Sequence, residues 1–295
     1  MGLNLEHDCS TLRSSMIERP FIVTCDVESD HPRFLDECTR GVEAGLPQLI
    51  DLMKEKQIPC DFFVSTNVLS DGLREIRRAG SLAGVVGSHG IGHSPEYYNL
   101  RTFRWHEKML REVRACWKRT LGTDPTYFRA PNFSISSRGI RALSAAGFVV
   151  DSSVLPGRLV KKWRSVPILD HRGAPRTPYR PDSIDFRKRG KVPLIEFPLT
   201  ENPIAIGRPF GLGGLRAFGL DRMLSAVRTL QSRAILFLVH PWELVDWSSY
   251  SSKLPKWIFR DASEDVSILR RFLDALGERV TFTSISRLAP SMASL

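Results

Sequence analysis

What the chain lacks narrows its class before any motif is read. No apolar run approaches the ~20 residues needed to span a bilayer. The opening stretch MGLNLEHDCSTLRSSMIERP has no apolar core of the kind a signal peptide needs. The expectation from both is a cytoplasmic protein. Five cysteines, at 9, 25, 38, 60 and 116, are odd in number and contain no CxxC pair, which argues against a disulfide framework or a cysteine-based zinc site. There is no zinc-finger spacing, no RNP aromatic run and no heptad array below a basic region, so nucleic acid is not an expected partner. Acidic residues are in deficit, 32 Asp+Glu against 42 Lys+Arg, for a formal charge of +10. Such a surplus attracts polyanions and anionic membrane surfaces but says nothing about fold. Eleven Lys and Arg fall between Arg158 and Lys191 alone.

What is present is an alternation of short apolar runs with helical patterns over 295 residues. FIVTCD (21–26), CDFFVS (60–65), LAGVVGS (82–88), TYFRA (126–130), GFVVD (147–151), VPLIEF (192–197), AILFLVH (234–240) and VTFTSI (280–285) read as strands. Most are continuous rather than alternating, the pattern of strands covered on both faces in a parallel sheet. Helical periodicity separates them. Residues 45–57 carry apolar side chains at 49, 50, 52 and 53 with Pro47 near the start; 107–122 place Leu110, Val113, Cys116 and Trp117 on one side and close on Gly122. The stretches 135–148, 221–232 and 265–277 behave similarly. The order suggests a (β/α) barrel or a distorted relative. An open doubly wound sheet is the alternative, without a GxGxxG turn to support it. Residues 155–191, proline-rich, basic and weakly periodic, read as a long insertion over one end of the barrel.

Six of these runs end in a group capable of chemistry: Asp26, His89, Arg129, Asp151, Glu196 and His240. In a parallel barrel all such ends meet on one face, where active sites of these folds are built. The segment SHGIGH places His89 and His93 four residues apart. Two glycines between them favour a tight turn over a regular helix. Either geometry converges two imidazoles, and neutral imidazole suits zinc and similar ions. A third ligand would leave a position open for water, the arrangement of a catalytic metal site. CDVESD supplies carboxylates: on a strand, residues 26 and 28 point to one side, so Asp26 and Glu28 both face the site, with Asp30 just beyond.

Taken in order, TCDVESD, QIPCDFFVS, GSHGIGH, FRAPNFS, GFVVDSSVLP, PYRPDSIDFRKRG…LIEFP and FLVHPWE resemble the motif series of the polysaccharide deacetylases, the NodB-homology group of carbohydrate esterases. The resemblance spans roughly residues 20–290, which leaves 1–19 as an N-terminal extension. The Asp-Val-Glu, PYRP and HPWE forms are closest to the subgroup found with bacterial exopolysaccharide and exosortase gene clusters. The resemblance implies a distorted (β/α)7 barrel, one domain carrying the basic insertion, with one divalent ion, often zinc. It implies Asp26 as catalytic base, His89 and His93 as metal ligands, Arg129 as the group that orients the base and His240 as general acid. Asp151 falls near the position of an aspartate that tunes that histidine. The family's usual Asp-Asp is interrupted here by Val27, and the usual GHE before the histidines is replaced by AGVVG. Glu28 is the natural replacement ligand on geometric grounds, with Asp30 as its rival. Asn132, Phe133 and Trp242 lie beside motif residues and are candidates for contact with a sugar ring.

The activity so implied is metal-dependent removal of an N-acyl group, such as N-acetyl, from an amino sugar or glycan in bacterial polysaccharide or glycoconjugate biosynthesis. Cleavage of a non-sugar C–N bond, in a formamide, cyclic imide or allantoin-like compound, would use the same chemistry. A non-catalytic carbohydrate- or polyanion-binding protein is the alternative from another class. The basic run further suggests peripheral attachment to the inner membrane face through Arg187, Lys188 and Arg189, with a lipid-linked or anionic glycan as substrate.

Overall fold

The structure, a computed structural model, describes residues 19–30, 38–94, 96–163, 165–230, 232–248, 262–277 and 279–292. The expected N-terminal extension, apart from Arg19, and Cys9 lie outside them. In chain order the elements are β1 (Arg19–Val27), α1 (Leu46–Lys56), β2 (Cys60–Val64), α2 (Leu69–Ala79), β3 (Ala83–Ser88), α3 (Phe103–Leu121), β4 (Tyr127–Phe128), α4 (Ser137–Ala145) and β5 (Val150–Asp151). They continue with β6 (Leu159–Lys162), β7 (Val166–Asp170), β8 (Ile195–Glu196), α5 (Leu212–Phe218), α6 (Leu220–Thr229), β9 (Ile235–Val239), α7 (Ala262–Leu276), β10 (Val280–Phe282) and α8 (Ile285–Leu288).

Eight strands form one sheet in the order β10-β1-β2-β3-β4-β5-β8, with β9 also on β1. Every pairing in it is parallel. The sheet therefore curls into a distorted α/β half-barrel with helices outside, the fold expected from the continuous apolar runs. Among the described residues, no strand spans the interval between β8 and β9. There the irregular stretch 199–211 carries the hydrogen bonds: Phe210 N donates to Thr200 O (2.7 Å), Leu238 N to Phe210 O (3.0 Å) and Leu236 N to Thr200 Oγ1 (2.9 Å).

The side-chain period of two sorts β1 into a structural and a chemical face. Phe21, Val23, Cys25 and Val27 pack outward into the layer beneath the helices, where Phe21 and Phe237 lie 6.0 Å apart. Ile22 points the other way, into a smaller interior cluster with Phe63, Val85, Val150, Ile195 and Leu236. Thr24, Asp26 and Glu28 follow Ile22 on that face, so the barrel interior changes from apolar to polar towards the carboxyl ends of the strands. Cys60, at the start of β2, is buried in the outer layer.

The helices begin and end as their punctuation requires. Thr102 caps α3, its side chain accepting from Trp105 N at 3.1 Å, and Gly122 (φ 74°) ends it. The sequence pattern did not single out α2, α5 or α8. It also read 155–191 as loop, whereas the structure forms an antiparallel hairpin there, β6 on β7. Strands that pair only with each other, outside the main sheet, have one-sided burial and hence a weak apolar signal.

At the opposite end of the barrel from the polar strand termini, Asp61 ties three segments together. Its Oδ1 accepts from Val85 N (2.6 Å) and its Oδ2 from Ile285 N (2.8 Å). Asp61→Asn exchanges one acceptor oxygen for a donor facing a buried N–H. It is expected to lower unfolding free energy by ~1–3 kcal/mol, read as a shift in denaturant midpoint at unchanged slope.

Candidate metal and catalytic site

Four of the six polar strand termini meet inside the mouth of the half-barrel, joined there by Glu28 and His93. Glu28 is the centre of the arrangement. His89 Nε2 lies 3.2 Å from Glu28 Oε2, and His93 Nε2 hydrogen-bonds the same oxygen. His240 Nε2 stands 3.9 Å from Glu28 Oε1, and Asp26 Oδ2 lies 3.9 Å from His89 Nε2. One donor atom each from Glu28, His89 and His93 fall within 4.8 Å of one another. One carboxylate oxygen and two imidazole nitrogens aimed at a common point fit a divalent ion, and three protein donors leave further positions open.

The turn that presents the histidines is the glycine-broken one read from the sequence. Gly90 (φ 67°) and Gly92 (φ 116°) adopt left-handed backbone, and Tyr98 Oη donates to Gly92 O (2.8 Å) while accepting from Ile91 N (3.1 Å). Asp30, the rival ligand, points elsewhere: its Oδ1 accepts from Gly41 N at 2.7 Å, ahead of α1. Burial pushes its carboxyl up to about 6. Glu28 behaves oppositely. Burial alone would raise it, but the charges and hydrogen bonds of His93 and His89 hold it well below the ordinary carboxylate range.

Arg129 follows β4 and is wholly buried. Its Nη1 donates to Asp26 Oδ1 (2.7 Å) and Thr24 Oγ1 (3.0 Å), its Nε to Ser152 O (3.0 Å) and its Nη2 to Ser152 Oγ (2.9 Å). The guanidinium lies 4.1 Å over the Phe63 ring. One oxygen of Asp26 is thereby committed to Arg129, and the other faces the histidines.

On the other flank, His240 Nδ1 lies 3.3 Å from Glu243 Oε2, which also accepts from His240 N at 2.8 Å. Burial opposes charge on this imidazole. The hydrogen bond and charge of Glu243, joined by Glu28 and Asp26, prevail and raise its pKa to about 9. The turn carrying His240 is held tightly against the start of α1. A Cβ at Gly45 would fall 1.9 Å from Pro241 O. His240 and His93 keep 21% and 10% of their side-chain surface, whereas Asp26, Glu28 and His89 are sealed, so the site opens on the His240 and His93 side.

Asp151 requires a correction of place. It sits in register with Phe128 and Glu196, and neighbours in parallel register share a face. Phe128 packs outward on Phe148, so Asp151 and Glu196 lie outside the barrel wall, and Arg129, one residue past Phe128, lies inside. The carboxylate at His240 is therefore Glu243, and the residue after β5 that touches Arg129 is Ser152. The sequence quoted Glu243 within HPWE, yet gave no sign that it turns back on His240. Burial raises both carboxyls of the outer pair, Asp151 to about 6 and Glu196 well above its usual value. Asp151 accepts from Ser153 Oγ, and Glu196 from Val154 N at 2.9 Å. Asp151 Oδ2 and Glu196 Oε2 have no other hydrogen-bond partner, and one proton held between the two carboxyls would satisfy both.

Of the expected sugar-contacting residues, Phe133 and Trp242 are packed and Asn132 is half-buried. Phe133 belongs to a cluster with Leu155, Leu199 and Leu238, under the Arg158 guanidinium. Trp242 stacks on His240 with ring centroids 5.4 Å apart. Asn132 donates from Nδ2 to Glu96 O (3.2 Å). Asn132 and Phe133 both take positive φ (55° and 56°), a strained conformation for side-chain-bearing residues. The amide of Phe133 is used within the turn, donating to Ala130 O at 2.9 Å.

The comparisons bear on the fold. The polysaccharide deacetylase family matches residues 35–150, a span that includes His89, His93 and Arg129 but begins after Glu28 and ends before His240. A Mycobacterium smegmatis protein described as a polysaccharide deacetylase shares the fold at TM-score 0.62 and 17% identity, over 93% of this chain and 90% of its own. Puue allantoinase shares it at 0.61 and 14% identity, over the same proportions. A family 4 carbohydrate esterase from Streptomyces lividans, in complex with acetate, follows at 0.50 and 11% identity, over 92% and 94%. No curated protein matches the sequence.

Two outcomes test the site. Zinc titrated into the metal-free protein should bind with one ion per chain by calorimetry, and His89→Ala or Glu28→Gln should weaken that binding at least ~10-fold. An infrared band of a protonated carboxyl should persist at neutral pH and vanish in Glu196→Gln, which supplies the shared donor permanently. Survival of that band would assign the proton elsewhere.

Proposed function

We propose that this chain, which carries a polysaccharide deacetylase region over residues 35–150, is a metal-dependent hydrolase that removes an N-acyl group from an amino sugar or glycan. The observation that carries the reading is the convergence of Glu28, His89 and His93 between two proton-handling groups, Asp26 held by Arg129 and His240 held by Glu243. Zinc is the ion this donor set suits best.

When bound, a divalent ion supplies Lewis-acid stabilisation of developing negative charge and makes hydroxide available near neutral pH. The residues do the rest. Arg129 fixes one oxygen of Asp26 and directs the other towards the site, where it removes the proton of the attacking water. The substrate carbonyl enters on the open side, beside His93 and His240. His240, charged at neutral pH, has its Nδ1 proton directed at Glu243 and its Nε2 proton directed into the site. It gives that second proton to the departing amine, whose expulsion as an anion would otherwise be prohibitive.

The pH dependence follows. Activity requires Asp26 ionised and His240 protonated, so the profile is bell-shaped with its alkaline limb governed by the group near 9. Glu243→Gln removes the carboxylate that raises this imidazole and should move the alkaline limb to lower pH. The same shift bears on stability. A histidine raised from ~6.5 stabilises the fold fully below its unfolded value, and that contribution fades as pH rises through about 9.

The decisive experiment is metal-dependent release of acetate or formate from N-acylated amino sugars. Asp26→Asn and His89→Ala should each lower turnover by at least ~100-fold in folded protein. Full turnover by His89→Ala would sink the reading. The likeness in fold to Puue allantoinase keeps a non-sugar C–N substrate as the second reading, and a panel of cyclic amides against N-acetylhexosamines separates the two.

A further inference from the structure

The basic run between Arg158 and Lys191 divides in the structure into charges that are used and charges that are not. Arg187 donates to both oxygens of Asp185, and Arg189 donates to Thr177 Oγ1 (2.8 Å) and lies 5.9 Å over the Tyr179 ring. Two of the four cations in residues 186–191, Arg187 and Arg189, are thus engaged within the protein, while Lys188 and Lys191 are exposed.

The hairpin β6–β7 is different. Its base is fastened: Asn99 Nδ2 donates to Ile168 O (2.6 Å), and His171 N donates to Arg158 O (2.8 Å). Its far end has no such cover. Lys161, Lys162, Trp163, Ser165, Val166 and Pro167 are all exposed, Trp163 at 79% and Val166 at 49%. Trp163 takes φ 47°, rare for a bulky residue, with the Lys162 ammonium 5.2 Å from its ring. Beside the hairpin base, where Gly207 abuts Arg158, the loop after β8 exposes Ile206 (81%) and Ile204 (39%) next to exposed Arg208. The hairpin follows the carboxyl end of β5 and this loop follows that of β8, so both stand at the mouth end of the barrel.

Large apolar side chains exposed together signal a contact surface. An indole flanked by lysines suits one kind in particular, the boundary between water and lipid, where the ring lies at headgroup level and the ammonium groups meet anionic phosphates. A second copy of the chain is a poorer occupant, since a self-complementary contact would bring Lys161 and Lys162 against their own kind.

We propose that the β6–β7 tip, through Lys161, Lys162 and Trp163 with Ile204 and Ile206 beside it, docks the protein onto anionic lipid surfaces with the mouth of the barrel facing the bilayer. Only the corollary that the acylated substrate is presented at the membrane rests on the proposed hydrolase activity. The docking itself does not.

The test is co-sedimentation of the full chain with vesicles of phosphatidylcholine, with and without phosphatidylglycerol, at low and high salt. Binding should require phosphatidylglycerol and weaken as salt rises. Trp163→Ser should weaken it ~10-fold and the Lys161→Gln/Lys162→Gln pair ~30-fold, both retaining the wild-type circular dichroism spectrum and zinc content. Quenching of tryptophan fluorescence by bromine-labelled acyl chains should fall in Trp163→Phe. Absence of binding to phosphatidylglycerol vesicles at low salt overturns the proposal, as does wild-type binding by both variants. A concentration-dependent dimer abolished by Trp163→Ser would overturn it too, by assigning the patch to a second copy. Loss of hydrolase activity on every substrate, with vesicle binding intact, would count against the activity alone.

Discussion

The buried guanidinium of Arg129 is the constraint around which the site is organised. A charge without solvent must find every partner inside the protein, and a lost partner leaves it uncompensated at a cost of ~3–5 kcal/mol. Here the partners come from β1, through Thr24 and Asp26, and from the chain after β5, through both the carbonyl and hydroxyl of Ser152. Phe63 of β2 supplies the face beneath. Three strands are thus registered against one planar cation at the depth where the barrel interior turns from apolar to polar. The orientation of Asp26 and the closure of that layer are one interaction.

The opposite flank uses a different device for a similar end. His240 is oriented by Glu243, three residues along the same turn, and the turn is pressed on the start of α1 at glycines 41 and 45. The two proton-handling groups are therefore held by independent supports, a guanidinium on one side and a carboxylate on the other. The supports carry opposite charge, a cation beside Asp26 and an anion beside His240. Glu28 and the two histidines lie between and belong to neither support.

The fold was legible because it depends on long-range averages of the chain. Continuous apolar strands, helices closing on glycine and the absence of a dinucleotide turn lead to a parallel barrel-like sheet, and that is what forms. The spacing of Asp26 and Glu28 was legible for a local reason, the period of two along β1. Asp151 shows the limit of the same rule. GFVVD ends in Asp151 and TYFRA carries Arg129 near its end, but Asp151 pairs with Phe128 rather than with Arg129, and that offset of one position sends Arg129 inside and Asp151 outside. No pattern within either strand carries that offset, because it is fixed by pairing between strands. Glu243 and the hairpin were invisible for a related reason: a turn folded back on itself and a pair of strands outside the main sheet leave little periodicity to read.

The position of β1 has a consequence for how such a chain comes to be folded. β1, which carries Asp26 and leads into Glu28, is made more than 200 residues ahead of its partners β9 and β10. Contacts of that separation must close a very long loop before they return anything, which slows folding and prolongs exposure of apolar edges. Until β9 has left the ribosome, β1 has only β2 of these strands to pair with. Only then does the arrival of β9 bring His240 to the chamber. The docking of β9 on β1 and the arrival of the last catalytic group are the same event, ahead of β10, so a chain that stops short of β9 holds its carboxylates, His89 and His93 without the acid that would complete them.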